Sequence, residues 1–119
     1  MITTVTELAK IKHPYYCSSS NYYSNDAAAF FTTMTDFLNE HEDDDIDMNL
    51  CFRFDVRERE DDTGAPLGIC DAEVFILHQQ KGIFHPCYIE RFTNNEVQRF
   101  IEYAEKHFET LLAMWKPLS

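Results

Sequence analysis

Residues 46–56 alternate without a break. Ile46, Met48, Leu50, Phe52, Phe54 and Val56 are apolar, and Asp47, Asn49, Cys51, Arg53 and Asp55 stand between them. A period of two over eleven residues predicts a strand with one buried face and one wetter face. A second strand is predicted at 69–78. Ala72, Val74 and Ile76 share one side of it, and Phe75 and Leu77 take the other, so that side is partly covered too. Between the two, REREDDTGAPLG (57–68) reads as a long charged hairpin connection with Gly64 and Pro66 as turn residues. QQKG (79–82) reads as a tight turn in which Gly82 can take positive φ, and a third strand follows at 83–91. Pro86 has no amide hydrogen to give to a ladder, which places that strand at an edge or gives it a bulge.

The period turns helical on both sides of these strands. Phe30, Phe31, Met34, Phe37 and Leu38 form a stripe over 27–41, with Asp26 or Asn25 as the N-cap. In the last segment Val97, Ile101, Ala104, Phe108, Leu111 and Trp115 recur at spacings of four and three, widened by Phe100 and Leu112. Thr93 and Glu96 have capping-box spacing, Phe92 is placed to staple onto Val97, and Lys116-Pro117 is expected to end the helix. Residues 3–12 carry a second capping-box spacing, Thr4 to Glu7, although ITTVT reads nearly as well as a strand. YYCSSSNYYSN (15–25) reads as a polar, aromatic loop.

The expectation is one α+β domain over residues 1–119. A three-stranded antiparallel sheet carries helices on one face, in the order α-α-β-β-β-α. The order of the last five elements is similar to that of a double-stranded-RNA-binding domain. That family grips phosphates through a basic cluster opening its last helix. Here those positions read Asn94, Asn95 and Glu96, so the likeness is one of topology and implies no RNA binding.

Composition agrees with a packed core: 45% of residues are hydrophobic, with ten Phe, six Tyr and one Trp, so this is no disordered acidic tail. No apolar run approaches the roughly 18 residues of a membrane span, and MITTVTELAKIKHP lacks the basic and apolar regions of a signal peptide. Cys17, Cys51, Cys70 and Cys87 show no CxxC spacing and are expected to be reduced, in a cytoplasmic protein.

Charge changes the picture most. The net charge is −11, and −9 of it falls between Asp36 and Asp62, where twelve acids meet only Arg53, Arg57 and Arg59. Glu40, Glu42, Asp43, Asp44 and Asp45 follow the C-terminus of a predicted helix, and Asp47 comes next. Negative charge there opposes the helix dipole at about 0.3 kcal/mol per residue, so folding gains nothing from it. A second group, Glu58, Glu60, Asp61 and Asp62, follows the first strand. Eleven residues at about 3.3 Å separate the groups by about 35 Å, close to one turn of B-DNA. Two poles or a band of charge are expected rather than one pocket, with Asp47, Asp55 and Asp71 lining the wetter face between them.

Other chemistry fits less well. A calcium loop from Asp43, Asp45 and Asp47 would put Met48 where glycine is needed and Phe54 where a bidentate Glu is needed. His13, Cys17, His85 and Cys87 offer zinc ligands, but the HPC pair is too tight for a knuckle. Cys87 and His85 share a strand face, yet nothing nearby would acidify the thiol. No metal, cofactor or catalytic residue is expected, and the chain is read as a non-enzyme. The last helix offers an apolar stripe for a homodimer seam, with covering of the sheet as the competing use. Tyr15, Tyr16, Tyr22 and Tyr23 are candidate contact residues.

These features point to a small acidic inhibitor that covers the basic, nucleic-acid-binding surface of another protein and acts partly as a nucleic-acid mimic. Phage proteins directed against CRISPR effectors or restriction enzymes are of this class. The alternatives are an immunity protein or antitoxin against a basic nuclease, and a chaperone or adaptor with an apolar groove. The expected contacts are Glu40, Glu42, Asp43, Asp44, Asp45, Asp47, Glu58, Glu60, Asp61, Asp62, Tyr22 and Tyr23. A basic protein is the expected partner, since nucleic acid and anionic membranes both require positive surfaces.

Overall fold

The alternating run becomes the second strand of a four-stranded antiparallel sheet in the computed structural model, which describes residues 2–11, 21–40 and 49–118. The strands are β1 (Tyr22–Asp26), β2 (Leu50–Glu60), β3 (Pro66–His78) and β4 (Gly82–Thr93), side by side in chain order. The helices are α1 (Val5–Lys10), α2 (Thr32–Glu40) and α3 (Val97–Leu118), with a 3₁₀ turn at Ala27–Ala29 before α2. All three contribute to one core against one face of the sheet. Leu50, Phe52, Phe54, Val56, Ala72, Val74 and Ile76 supply its floor, and Val5, Leu8, Phe31, Met34, Phe100, Ala104, Phe108 and Leu111 its roof. Among the described residues, no helix is long and apolar enough to cross a membrane.

The expected three strands are therefore four. The extra one, β1, lies in the stretch read as a loop and pairs with β2 from Tyr22↔Arg57 to Asp26↔Arg53. It escapes a hydrophobicity pattern because its most buried residue is polar. Asn25 is fully buried, and its Nδ2 donates to the carbonyls of Ala9 (2.9 Å) and Ile11 (2.7 Å) while its Oδ1 accepts from the Asp26 amide (2.9 Å). One side chain thus closes the C-terminal end of α1 and fastens it to the sheet. The N-cap role falls to Asp26, whose Oδ1 accepts from the Ala28 amide at 2.9 Å. Replacing Asn25 with leucine would take their donor from the carbonyls of Ala9, which is buried, and Ile11, which is partly so. It is expected to cost about 2 kcal/mol or more in urea unfolding, and a loss under about 0.5 kcal/mol would mean that water replaces the amide.

The connection between β2 and β3 is shorter than expected. Both strands continue through charged residues, pairing Arg57↔Asp71, Glu58↔Cys70 and Glu60↔Pro66 across a bulge, so only residues 61–65 turn. Polarity did not stop the strands, because a ladder needs backbone partners and not apolar side chains. β4 lies at the sheet edge, where Pro86 had placed it. Its register jumps from Val74↔Tyr88 to Ile76↔Phe84, which bulges out His85, Pro86 and Cys87, and the His85–Pro86 peptide is cis. Gly82 takes φ 87°, as the turn required.

α1 is a helix and not the alternative strand. Thr4 caps it by accepting from the Glu7 amide at 3.0 Å, and Val5 donates to the Asn94 carbonyl at 2.8 Å. At α3 half of the expected capping box forms: Glu96 Oε1 accepts from the Thr93 amide at 2.8 Å, but Thr93 Oγ1 pairs with Asn95 Oδ1. Phe92 packs on Phe100 and Tyr103, with ring centroids 5.7 and 5.3 Å apart. The helix ends at Leu118, one residue past Lys116-Pro117. Its stripe faces the core, with Phe100, Ala104, Phe108 and Leu111 all buried, so those side chains are not available as a seam.

Candidate interaction surfaces

The second acidic group sits at the β2–β3 hairpin, at one end of the molecule. Residues 60–68 are all exposed. Asp61 has a structural task there: its Oδ1 accepts from the Thr63 amide (2.8 Å), the Thr63 hydroxyl (2.6 Å) and the Ala65 amide (3.0 Å). The Thr63 hydrogen bonds and those from the Ala65 and Thr63 amides hold its carboxyl below the usual range. Glu58 is half-buried beside Cys70, whose thiol is pushed up to about 11 by burial and by Asp71, Glu58 and Glu96, which brings the start of α3 to the same end. Among the described residues, no ion pair joins Glu58, Glu60, Asp61 or Asp62 to a base.

Glu40, from the first acidic group, is exposed at the last residue of α2. Glu42, Asp43, Asp44, Asp45 and Asp47 lie outside the described residues, as do Tyr15 and Tyr16. Tyr22 and Tyr23 part company, as neighbours on a strand must. Tyr22 belongs to the sheet face away from the helices, where its hydroxyl donates to Asp55. Tyr23 packs against the core, with Lys10 Nζ 4.7 Å from its ring centre.

The face away from the helices is the other surface of note. Register places Tyr22, Ser24 and Asp26 beside Arg53, Asp55 and Arg57, then Asp71, Glu73 and Phe75, then Ile89 and Arg91. The hydroxyls of Tyr22 and Ser24 both donate to Asp55, and Arg53 Nη2 donates to the Ser24 hydroxyl at 2.8 Å. Burial raises the Asp55 carboxyl above its ordinary range, against the pull of those hydroxyls and of Arg53. Asp71 is held by Arg91 Nε at 2.9 Å and Arg59 Nη1 at 3.5 Å. Tyr22, Asp55, Arg57, Asp71, Glu73 and Ile89 line a cleft of about 190 Å³. Asp55 and Asp71 do lie on the wetter strand face, but arginines answer their charge.

Cys87 and His85 stand close, Sγ to Nδ1 at 3.8 Å. Burial and the neighbouring carboxylates of Glu73 and Asp55 push the Cys87 thiol up to about 11, so it is protonated at neutral pH. Cys87 is expected to react with a disulfide reagent about tenfold more slowly than a free thiol at pH 8.5, its smaller thiolate fraction partly offset by a more nucleophilic thiolate, with its rate still climbing at pH 10. Labelling followed by peptide mass mapping checks this; a rate that levels off near pH 9 would disprove it. Of the zinc candidates, His13 and Cys17 lie outside the described residues, and among those described no three His, Cys, Asp or Glu side chains are placed to hold a metal.

Sequence reasoning passed over a stacked pair on the helix side, where the ring of His107 lies 4.1 Å from Tyr88 and 4.6 Å from Tyr103. The spacing of Tyr103 and His107, one helical turn apart, was the available signal.

Fold and surfaces together define a small α+β protein: a four-stranded antiparallel sheet, helices on one face and an acidic hairpin at one end. Compared with known proteins, the chain matches no family model, no curated protein and no solved structure.

Proposed function

We propose that this chain is a non-enzymatic acidic inhibitor that occupies the basic, nucleic-acid-binding surface of a partner protein, partly in place of a phosphate backbone. Phage proteins that block CRISPR effectors or restriction enzymes are the class it fits, acting in the host cytoplasm. The observation that carries this reading is how the arginines of β2 are used. Arg59 pairs with Asp71 and Arg53 with Ser24, on the sheet face, while Glu58, Glu60 and Asp62 make no ion pair among the described residues. Acids outside any ion pair, at or beside an exposed hairpin, add little to folding, but they steer association with a cationic surface.

The test is capture of the partner from host lysate, followed by competition with duplex DNA at low and high salt. The expected result is mutual exclusion with nucleic acid and an affinity that falls steeply with salt. A partner that binds DNA and this protein together, or binds it equally well at high salt, overturns the reading.

A further inference from the structure

Register sorts the sheet face away from the helices into rows that run across the strands. Tyr22, Arg57, Asp71 and Arg91 form one, and Ser24, Asp55, Glu73 and Ile89 form the next. The cleft of about 190 Å³ is lined from both rows. Two of its carboxylates already have partners. Asp71 is held by Arg91 and Arg59, and Asp55 accepts from the hydroxyls of Tyr22 and Ser24. Two other charges are left over. The exposed guanidinium of Arg57 makes no hydrogen bond or ion pair among the described residues, and Glu73, beside the protonated thiol of Cys87, makes no ion pair there. The two are diagonal neighbours on β2 and β3, with backbones about 7–8 Å apart, so opposite charges face one cleft without joining.

We infer that this cleft binds a small zwitterion, an α-amino acid with an apolar side chain, its carboxylate on Arg57 and its ammonium on Glu73. The ligand's two charges flank a single carbon, and a hydrogen bond of about 2.9 Å at each end lets them bridge the two side chains. Tyr22 gives the cleft an aromatic wall, and Ile89, 64% exposed, gives it an aliphatic one against which the ligand's side chain packs. Ligands of a single charge fit worse. A plain anion meets the field of a chain at −11, and a plain amine meets Arg57. A zwitterion adds no net charge and answers both groups. Its ammonium also offsets the cost of setting Glu73 directly across the ladder from Asp55. The cleft is smaller than the roughly 300 Å³ at which pockets for drug-sized ligands begin, so the ligand is small and its affinity modest. This inference does not depend on the inhibitor reading, because Glu58, Glu60, Asp61 and Asp62 do not line the cleft.

Titration of the isotope-labelled full chain with L-leucine, L-methionine and L-phenylalanine, followed through its amide resonances, tests it. At least one is expected to give saturable shifts around the cleft with a Kd of about 0.1 to about 10 mM. For leucine the single-charge analogues are isocaproate, which lacks the ammonium, and isoamylamine, which lacks the carboxylate. Each is expected to bind about tenfold more weakly or worse, since each forfeits one charge-assisted hydrogen bond. Arg57→Gln and Glu73→Gln are each expected to weaken leucine about tenfold. Glu73→Gln should leave the residual binding of isocaproate unchanged, because that probe has no ammonium for Glu73, a result that general damage to the cleft would not give. Glu102→Gln, on an exposed position of α3, is expected to change nothing. The dispersion of the amide spectrum shows whether each variant is folded. No saturable shift with any of the three amino acids up to about 50 mM, or a single-charge analogue that binds as tightly as leucine, overturns the proposal.

Discussion

Replacing Phe54 with alanine is expected to cost about 3–5 kcal/mol of stability, the usual range for a buried aromatic truncated to a methyl group. Phe54 is fully buried at the centre of the roof-to-floor contact. Its ring centre lies 5.6 Å from Phe30, 5.7 Å from Phe31 and 5.6 Å from Phe100. Phe31 in turn lies 5.4 Å from Phe108. Losing Phe54 therefore loosens β2, the entry to α2 and the middle of α3 together. The rings of Phe52 on Phe108 and of Phe92 on Phe100 hold helix and sheet apart on either side, so the cavity cannot collapse cheaply. Against a total stability of about 5–15 kcal/mol, the variant should melt roughly 10–20 °C lower. Urea unfolding checks it: the midpoint should fall while the slope stays the same. A loss below about 1.5 kcal/mol would show that neighbouring rings close the gap.

The second large effect concerns binding. Changing Glu58 and Glu60 to Gln and Asp62 to Asn together is expected to weaken binding to the cationic partner by about ten- to a hundredfold at low salt. Most of the change should appear in the association rate. The logarithmic dependence of affinity on salt should flatten as well. Stability should hardly change, because these carboxylates make no ion pair among the described residues and removing like charges relieves repulsion. Asp61 is left intact because its carboxylate organises the turn. Its replacement would mix a folding effect with a binding effect. Binding measured by interferometry at several salt concentrations decides the matter, and an unchanged affinity and salt slope would remove the hairpin from the interface.

What could be read in the sequence follows a physical line. β2, β3, β4, α2 and α3 announce themselves through apolar periodicity, because each buries one side against a shared core. Pro86 placed β4 at the edge for a chemical reason, its missing amide hydrogen. β1 could not be read. It is tied down by Asn25 and by the hydroxyls of Tyr22 and Ser24, and hydrogen bonds leave no hydrophobic trace. The excess of acid was plain from composition, but its use was not. Which carboxylates are paired depends on register, and register set Asp71 across from Arg57 and Arg91, whereas Glu58, Glu60 and Asp62 make no ion pair among the described residues. The acids at 42–47, five of the twelve expected contacts, lie outside the described residues.

The turn at 61–65 has a consequence for recognition. Beyond Asp61's three bonds, the Asp61 amide donates to the Ala65 carbonyl at 2.9 Å and the Gly64 amide to the Asp61 carbonyl at 3.0 Å. A loop so fully bonded within itself is already in its final shape before any encounter. Its charges can meet a partner with little conformational entropy left to surrender, and whatever attraction they supply is kept as affinity.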